Sequence, residues 1–162
     1  EKGKLRNKME RHILFVERAL NLIKPGGRIA IVLPQGVLNN TNMEYIRNWL
    51  FDKARILAVV GLQVNTFKPH TGTKTSVLFL QKWGENEKPL DDYPIFMAVS
   101  KKSGKDNSGD YVYKKDEKGE LAFDAKGNKI LYHDLDEIAE EFIKFAKKER
   151  FSFWRELWKP QC

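Results

Sequence analysis

The residues best suited to chemistry lie together in segment 63–74, a short polar stretch between two apolar runs. This segment carries two lysines, one histidine, several hydroxyls and one aromatic ring, and it contains no Asp or Glu. Cations and hydroxyls contact phosphate groups, and such contacts position a protein on nucleic acid without reading its sequence. Solvation of an ordinary surface loop is the alternative for both lysines. The predicted phosphate contacts are Lys68, His70, Thr71, Thr73 and Lys74.

Metal and disulfide chemistry have little support in the sequence. His70 has no second histidine or carboxylate near it along the chain, so no metal site and no general base is predicted there. The single Cys162 excludes an internal disulfide, which favours a reducing compartment and hence the cytoplasm. No apolar run reaches the roughly 18 to 20 residues of a membrane helix, so we expect no membrane partner.

Helices and strands alternate around this polar segment. Apolar residues spaced by three and four predict a helix over 9–23, and the Lys-Pro-Gly-Gly sequence at 24–27 ends it. Residues 28–33 are almost continuously apolar, as in a central strand covered on both faces. Segment 39–42 offers N-cap residues for a second helix of some ten residues.

The next two strands are predicted at 56–62 and 75–81. Their connection contains Pro69 and Gly72 and is too short and broken for a helical crossover, so the strands should pair antiparallel. The fold class predicted is therefore α/β, with a sheet that ends in an antiparallel hairpin.

Positive charge is concentrated in this half of the chain. Residues 1–82 hold 14 Lys/Arg and 5 Asp/Glu (+9), whereas residues 83–162 hold 15 Lys/Arg and 17 Asp/Glu (−2). This bias favours a polyanionic partner, or a solvated basic face.

Residues beyond 83 differ in character. We expect one more strand at 95–100, a flexible surface loop at 101–110 and a small β-meander whose hairpin turns lie at 116–120 and 124–128. The spacing of apolar residues and the order of charges predict a helix over 134–149, followed by an aromatic tail that packs on another surface. The domain organisation predicted is the α/β part at 1–83, a β-rich extension at 84–133, and the helix and tail at 134–162.

Several spaced features together resemble a known family. They are the helix that ends in Lys-Pro-Gly-Gly, the strand that ends in Leu-Pro, and the passage TFKPHTGTKTSVLFLQK. The combination is similar to the modification subunit of type I restriction systems and to related N6-adenine DNA methyltransferases. The resemblance covers about residues 9–82 well and continues weakly to about residue 148. It implies the distal half of a class I, Rossmann-like methyltransferase sheet. It also implies S-adenosylmethionine as cofactor, and double-stranded DNA, specificity subunits and restriction subunits as partners.

The family's central chemistry is missing from this sequence. Members bind the methyl donor at a Gly-rich turn and hold the target amine with Asn-Pro-Pro-Tyr/Phe, and neither motif is present. We therefore expect a fragment that has no catalytic residue of its own and is inactive alone. The resemblance assigns Phe67 to stacking on an extruded target adenine and Phe15 to the adenine of S-adenosylmethionine. Capping of a sheet edge by Phe67, and ordinary core packing of Phe15, are the structural alternatives.

Two functions from different classes remain open at this point. The first is a piece of an adenine-specific DNA methyltransferase that contributes the base pocket and a DNA-facing surface. The second is a non-catalytic nucleic-acid-binding or assembly module that retains a methyltransferase-like sheet. Methylation of RNA or of a protein glutamine is a lesser rival within the enzyme class.

Overall fold

The computed structural model describes residues 9–151, which divide into two units. One unit consists of residues 9–59 and 76–95, and the other of residues 60–75 and 96–151. The chain passes from one to the other inside two strands. In chain order the elements are α1 (Arg11–Leu22), β1 (Arg28–Pro34), α2 (Gly36–Asn39), a 3₁₀ turn (Thr41–Met43), α3 (Glu44–Lys53), β2 (Ala54–Gly61), β3 (Thr75–Lys82), β4 (Phe96–Val99) and α4 (Leu135–Lys148).

The four strands form one sheet in the order β1-β3-β2-β4. The Leu62 N–H donates to the Thr75 carbonyl at 2.9 Å, so the end of β2 meets the start of β3 and the two strands run antiparallel. The Ser100 N–H donates to the Gly61 carbonyl at 2.8 Å, which joins the carboxyl ends of β4 and β2 and makes that pair parallel. The predicted α/β fold and the antiparallel pairing of β2 with β3 are confirmed, and β4 lies beyond β2 at one end of the sheet order.

The hydrophobic core of the first unit forms between the helices and the strands. Its fully buried side chains include Ile13 of α1, Leu33 of β1, Leu50 of α3, and Leu78 and Leu80 of β3. They come from helical spacing in α1 and α3 and from alternation in β3, where every second residue faces the core. Both predicted helices and the predicted strands therefore lie where the apolar pattern placed them.

The prediction that residues 28–33 form a central strand buried on both faces is wrong for the described part of the chain. There β1 lies at one end of the sheet order and has β3 as its neighbour. Leu33 is buried, whereas Val32 is 46% exposed. A run of apolar residues indicates that a strand is hydrophobic. Burial of both faces of the strand also requires other elements to pack on each face, and the run does not specify those elements.

The ends of the first two helices use distant partners. The Lys82 ammonium donates to the Leu20 and Ile23 carbonyls at 2.8 and 3.0 Å, and so it caps the C-terminus of α1. The predicted N-cap within 39–42 is wrong, because the 3₁₀ turn intervenes and Met43 precedes α3 without a side-chain cap. Arg47 instead fixes this corner by donating to the Asn40 carbonyl at 2.8 Å.

Three turns of one type dominate the second unit between residues 103 and 133. Each begins with an aspartate whose side chain accepts backbone N–H groups, and each has a glycine with positive φ three residues later. The turns at Asp116 and Asp124 were predicted as hairpin turns, which is confirmed. The first turn, Asp106 to Asp110, was predicted to be a flexible loop; it is instead a turn of the same kind, because Asp106 Oδ1 accepts three N–H groups.

Backbone hydrogen bonds join the extended segments between these turns in two closed triangles. In the first, Val112 donates to Gly104, Gly104 to Tyr132, and Tyr132 to Val112. The second triangle links Lys114, Ile130 and Ala122 in the same way. We call residues 103–133 the three-turn module. Its framework is the backbone itself, so its side chains are left to face outward.

Helix α4 lies where its apolar spacing predicted it. Asp134, just before the helix, accepts the Ser100 hydroxyl at 2.6 Å and the Lys101 N–H at 2.7 Å. Phe142 and Phe145 pack on Phe96, with ring centroids 5.4 and 5.6 Å apart. The predicted docking concerns the aromatic tail at 151–158. Its first residue, Phe151, is buried and its ring centroid lies 5.7 Å from that of Phe145, whereas residues 152–158 lie outside the described residues. The three-part domain division stays a prediction beside the two units observed.

Candidate functional site

The loop that carries Phe67 follows the carboxyl end of β2, where open α/β sheets place their ligand sites. Its backbone is a series of tight turns. The Thr66 N–H donates to Gln63 at 3.0 Å, the Lys68 N–H to Asn65 at 3.0 Å, and the Thr71 N–H to Phe67 at 3.1 Å. These bonds give residues 63–71 a definite shape, so the aromatic ring has a fixed point of attachment.

The ring of Phe67 is open to its surroundings. It is 37% exposed and lies outside the buried core cluster. Burying an aromatic ring is worth several kcal/mol in principle, so a large exposed ring on an ordered loop suggests a contact that is made with something else. Stacking of a base on Phe67 requires an exposed ring, and this geometry meets that requirement. The stacking role itself stays a prediction.

The first turn of the three-turn module braces this loop from the side. The Lys68 ammonium donates to the Asn107 carbonyl at 2.7 Å, and the Lys105 ammonium donates back to the Lys68 carbonyl at 2.7 Å. The amide of Asn65 donates to Asn107 Oδ1 at 3.0 Å. Three hydrogen bonds therefore tie the residues on both sides of Phe67 to one turn.

Close packing accompanies these bonds. Gly109 adopts φ of +100°, and a Cβ atom added there would lie 2.6 Å from the backbone nitrogen of Pro69. That distance is far below a van der Waals contact, so only glycine allows the turn to approach the loop this closely. The loop and the turn consequently fit together as one piece.

A carboxylate enters this region through the fold, although segment 63–74 has none. Hydrogen bonds from the backbone N–H groups of Asp110, Ser108 and Gly109 lower the pKa of Asp106, and the positive charge of Lys68 lowers it further. Asp106 therefore stays ionised near Lys68 and offsets part of its charge. Of the predicted phosphate contacts, Lys68 is the one whose side chain donates a hydrogen bond to a residue outside segment 63–74.

The remaining predicted contacts lie on the outer part of the loop. His70, Thr71, Thr73 and Lys74 are all exposed. The two threonine hydroxyls are 3.0 Å apart, and Thr71 Oγ1 also accepts the Thr73 N–H at 3.1 Å. Their contact with DNA stays a prediction, but the geometry leaves them accessible.

Phe15 lies on α1, in the other unit. It is 68% exposed, whereas Ile13 and Val16 beside it in sequence are buried at 2% each. The alternative that Phe15 belongs to the ordinary core stripe is therefore wrong. Its assignment to the adenine of S-adenosylmethionine stays a prediction.

Sequence reasoning missed the residues that hold the loop, namely Asn65, Lys105, Asn107 and Gly109. Asn65 is 5% exposed, and its side-chain oxygen has no hydrogen-bond partner among the described residues. A signal for the turn was present: Asp, two residues, Gly, and then a polar residue recurs at 106, 116 and 124. The first copy was hidden in a Lys/Ser/Gly-rich stretch that resembles an ordinary loop.

Residues 9–151 contain no group of three or more His, Cys, Asp or Glu side chains that is placed to hold a metal ion. No helix in the same range has the length and apolarity to cross a membrane. The cytoplasmic location stays a prediction.

Comparison with known proteins agrees with the resemblance. The N-6 DNA Methylase family matches residues 1–157. The EcoEI methylase subunit, from a type I restriction enzyme of Escherichia coli, is 33% identical over 70 residues, which are 43% of this chain and 14% of that protein. Defense against restriction protein B of Escherichia phage P1 is 33% identical over 69 residues, or 42% of this chain and 3% of that protein.

A solved structure with a related sequence is that of the EcoKI M protein of a type I restriction enzyme. It is 30% identical, with 51% of this chain and 17% of that chain covered and a TM-score of 0.44. The chain thus spans a small part of the relatives it matches, and the region it shares with them is of the N6 methyltransferase, restriction-modification type. It belongs to the N-6 DNA Methylase family, as a region similar to the modification subunit of type I restriction systems.

Proposed function

We propose that this chain is the distal part of the catalytic domain of an adenine-specific DNA methyltransferase. The complete protein transfers a methyl group from S-adenosylmethionine to adenine N6 within a restriction-modification system. The observation that carries the proposal is the open ring of Phe67, held on a braced loop at the carboxyl end of β2. Family membership supplies the reaction class, and this loop supplies a place for the substrate base.

Methylation of an exocyclic amine requires the base to leave the duplex stack, which costs a few kcal/mol. Stacking of a base on an aromatic ring recovers roughly 1 to 3 kcal/mol. Phe67 offers such a flat face, and the bonds at Asn65 and Lys68 hold the loop before the base arrives. Holding the ring in advance reduces the conformational entropy that binding would otherwise cost.

Outside the ring, the loop has the groups that a phosphate backbone needs. His70 and Lys74 are exposed, and the hydroxyls of Thr71 and Thr73 lie beside them. In this arrangement the ring contacts the extruded base while the outer loop contacts the strand from which that base came. The partner is double-stranded DNA, because a base is extruded from a duplex.

The residues of this chain fit the methyl donor at one point. S-adenosylmethionine supplies the transferable methyl group when it is bound, and Phe15 presents an exposed apolar ring that can lie against its adenine. The adjacent glycines Gly26 and Gly27 are occupied by backbone bonds with Lys82 at 3.0 and 2.8 Å, so they do not form a donor-binding turn. The donor turn and the catalytic segment are accordingly proposed to lie elsewhere in the complete protein, and this chain alone is inactive. Because its relative is a methylase subunit of a type I restriction enzyme, specificity and restriction subunits are the proposed partners.

The test uses the complete protein and a duplex that contains its own methylation site, found by mapping N6-methyladenine in DNA from expressing cells. With 2-aminopurine in place of the target adenine, base extrusion is measured as a rise in fluorescence. We expect Phe67→Ala to abolish most of this rise and to lower kcat/KM about 10- to 100-fold, the range that loss of a stacked base implies. S-adenosylmethionine affinity should be unchanged.

Two control variants separate the roles of the aromatic rings. Val64→Ala removes another exposed apolar side chain from the same loop, at 40% exposure, and should leave extrusion intact. Phe15→Ala should weaken S-adenosylmethionine binding while base extrusion is retained. Absence of N6-methyladenine in cells that express the complete protein would contradict the proposal and favour the non-catalytic nucleic-acid-binding module.

A further inference from the structure

The outward face of the three-turn module has an unusual composition. Five antiparallel bridges pair its segments: Ser103 with His133, Lys105 with Tyr111, Tyr113 with Leu131, Lys115 with Leu121, and Phe123 with Lys129. None of these bridge residues is acidic, although the module as a whole contains Asp and Glu in its turns. Residues opposite each other in such a bridge point to the same side of the sheet.

Side-chain contacts show that several of these residues form one continuous strip. The Lys105 ammonium lies 5.6 Å from the centroid of the Tyr111 ring, and the Tyr111 and Tyr113 centroids are 6.5 Å apart. The Lys129 ammonium lies 5.4 Å from the Tyr113 centroid, and Lys129 pairs with Phe123. Lys115 lies two residues after Tyr113, on the same side of its extended segment. We call the six residues Lys105, Tyr111, Tyr113, Lys115, Phe123 and Lys129 the aromatic–lysine strip.

The strip is exposed and does not serve the interior of the module. Tyr111 is 61% exposed and Phe123 is 55% exposed. Exposed aromatic rings are costly to leave in water, and lysines held above them keep the surface positive. Residues 103–133 hold six Lys and six Asp/Glu, so the module as a whole is neutral and the positive charge belongs to the strip itself.

One end of the strip reaches the loop of Phe67. Lys105 contacts the Tyr111 ring and also donates to the Lys68 carbonyl at 2.7 Å. The strip therefore begins at a residue that is hydrogen-bonded to the Phe67 loop. Three lysines, flat rings and no acidic residue among the six residues of the strip together match a polyanion built from sugars and phosphates.

We propose that the aromatic–lysine strip binds the DNA backbone beside the extruded base and extends the contact of the Phe67 loop. The proposal rests on the proposed function for the identity of the polyanion as DNA. Lys115 and Lys129 contact phosphates, and the tyrosine and phenylalanine rings pack against the sugars between them.

The experiment compares two double variants of the complete protein that change charge equally. Lys115→Gln with Lys129→Gln alters the strip, and Lys118→Gln with Lys126→Gln removes two lysines from the turns, outside the strip. The dissociation constant for duplex DNA is measured over a series of salt concentrations, because each phosphate contact contributes about 0.9 to the slope of log K against log salt. We expect the strip variant to reduce the slope by about two, and the turn variant by less than half as much.

Equal slopes in the two double variants would overturn the proposal, since the loss would then reflect net charge alone. Unchanged DNA binding combined with loss of a protein subunit from the complex would also overturn it, and would assign the strip to a protein partner. If the slopes differ as expected but no N6-methyladenine is formed, DNA binding by the strip is supported and the proposed enzymatic function is contradicted. If methylation occurs and the slopes are equal, DNA binding by the strip is contradicted and the proposed enzymatic function is supported.

Discussion

The first unit, residues 9–59 and 76–95, contains most of the sheet, and we call it the sheet unit. The sheet unit and the three-turn module are stabilised in opposite ways. The sheet unit has a dense apolar core, in which Leu78 and Leu80 are fully buried. Within residues 101–133, by contrast, Gly104 alone is buried, and backbone triangles and aspartate turns supply the order. Side chains that form a hydrophobic core are buried and cannot contact other molecules. Where backbone hydrogen bonds hold the structure together, the side chains remain available for such contacts.

This contrast predicts the largest loss of stability for truncation in the core of the sheet unit. Leu80→Ala should lower the free energy of unfolding by about 2 to 5 kcal/mol, because it removes transfer free energy and leaves a cavity. Leu22→Ala is the matched control, since Leu22 is 72% exposed, and it should change stability by about 0.5 kcal/mol or less. Urea unfolding measures both, and equal losses would show that this core is not what holds the unit together.

The second prediction tests whether backbone geometry replaces the core in the module. A Cβ atom added at Gly109 would collide with Pro69. Gly119 also has a positive φ, of +83°, but nothing lies within 4 Å of a Cβ atom added there. Gly109→Ala should therefore cost about 1 to 3 kcal/mol more than Gly119→Ala, because both strain the backbone but one also overpacks.

The same pair of variants tests the brace on the Phe67 loop. Gly109→Ala should reduce the 2-aminopurine signal of base extrusion, whereas Gly119→Ala should leave it at the wild-type level. If both variants extruded the base normally, the turn would support the fold of the module without positioning the loop.

The smallest expected effect is the response of the module to acid. Hydrogen bonds from the Asn128 backbone and side chain lower the pKa of Asp124, and the pKa of Asp106 is lowered by backbone N–H groups of its own turn. A lowered pKa in the folded state means that the unfolded chain binds protons first as the pH falls. The stability from these turns is therefore fully present above about pH 4 and is lost as pH drops through the folded pKa.

Thermal unfolding at neutral pH and at about pH 3 measures this loss. The double variant Asp106→Asn with Asp124→Asn should show a flatter pH dependence, because an amide oxygen still accepts hydrogen bonds but does not titrate. Glu117→Gln removes a carboxylate that lies in the second turn, where Asp116 is the residue that accepts the N–H groups of the turn, and it should retain the wild-type profile. A wild-type profile in the double variant would mean that these turns do not respond to acid.

Predictions from the sequence succeeded where the cause is local. Helix α1 and strand β3 follow from the spacing of their own apolar residues, and α4 also has acidic residues in its first turn and lysines in its last. The N-cap near Asn40 failed because a 3₁₀ turn competed for the same residues. The prediction that both faces of β1 are buried failed, because the exposure of a strand depends on the elements that pack on it, and these are not specified by the residues of the strand.

The candidate site shows the same division. Family likeness drew attention to Phe67 and Phe15, but exposure of 37% and 68% is a tertiary property. Lys68 was predicted to face DNA, and the fold gives its ammonium a partner in Asn107, 39 residues away. The recurring Asp-x-x-Gly pattern was available in the sequence, yet its first copy became recognisable only when the three turns were seen together.

The sequence alone determined the α/β order of elements, the antiparallel pairing of β2 with β3 and the family to which the chain belongs, because periodicity and motifs depend on residues that are close along the chain. The tertiary structure alone decided that the loop of Phe67 rests on a glycine turn and that lysines and aromatic rings form one strip. Those arrangements depend on residues that are distant along the chain and meet only when backbone hydrogen bonds close the module.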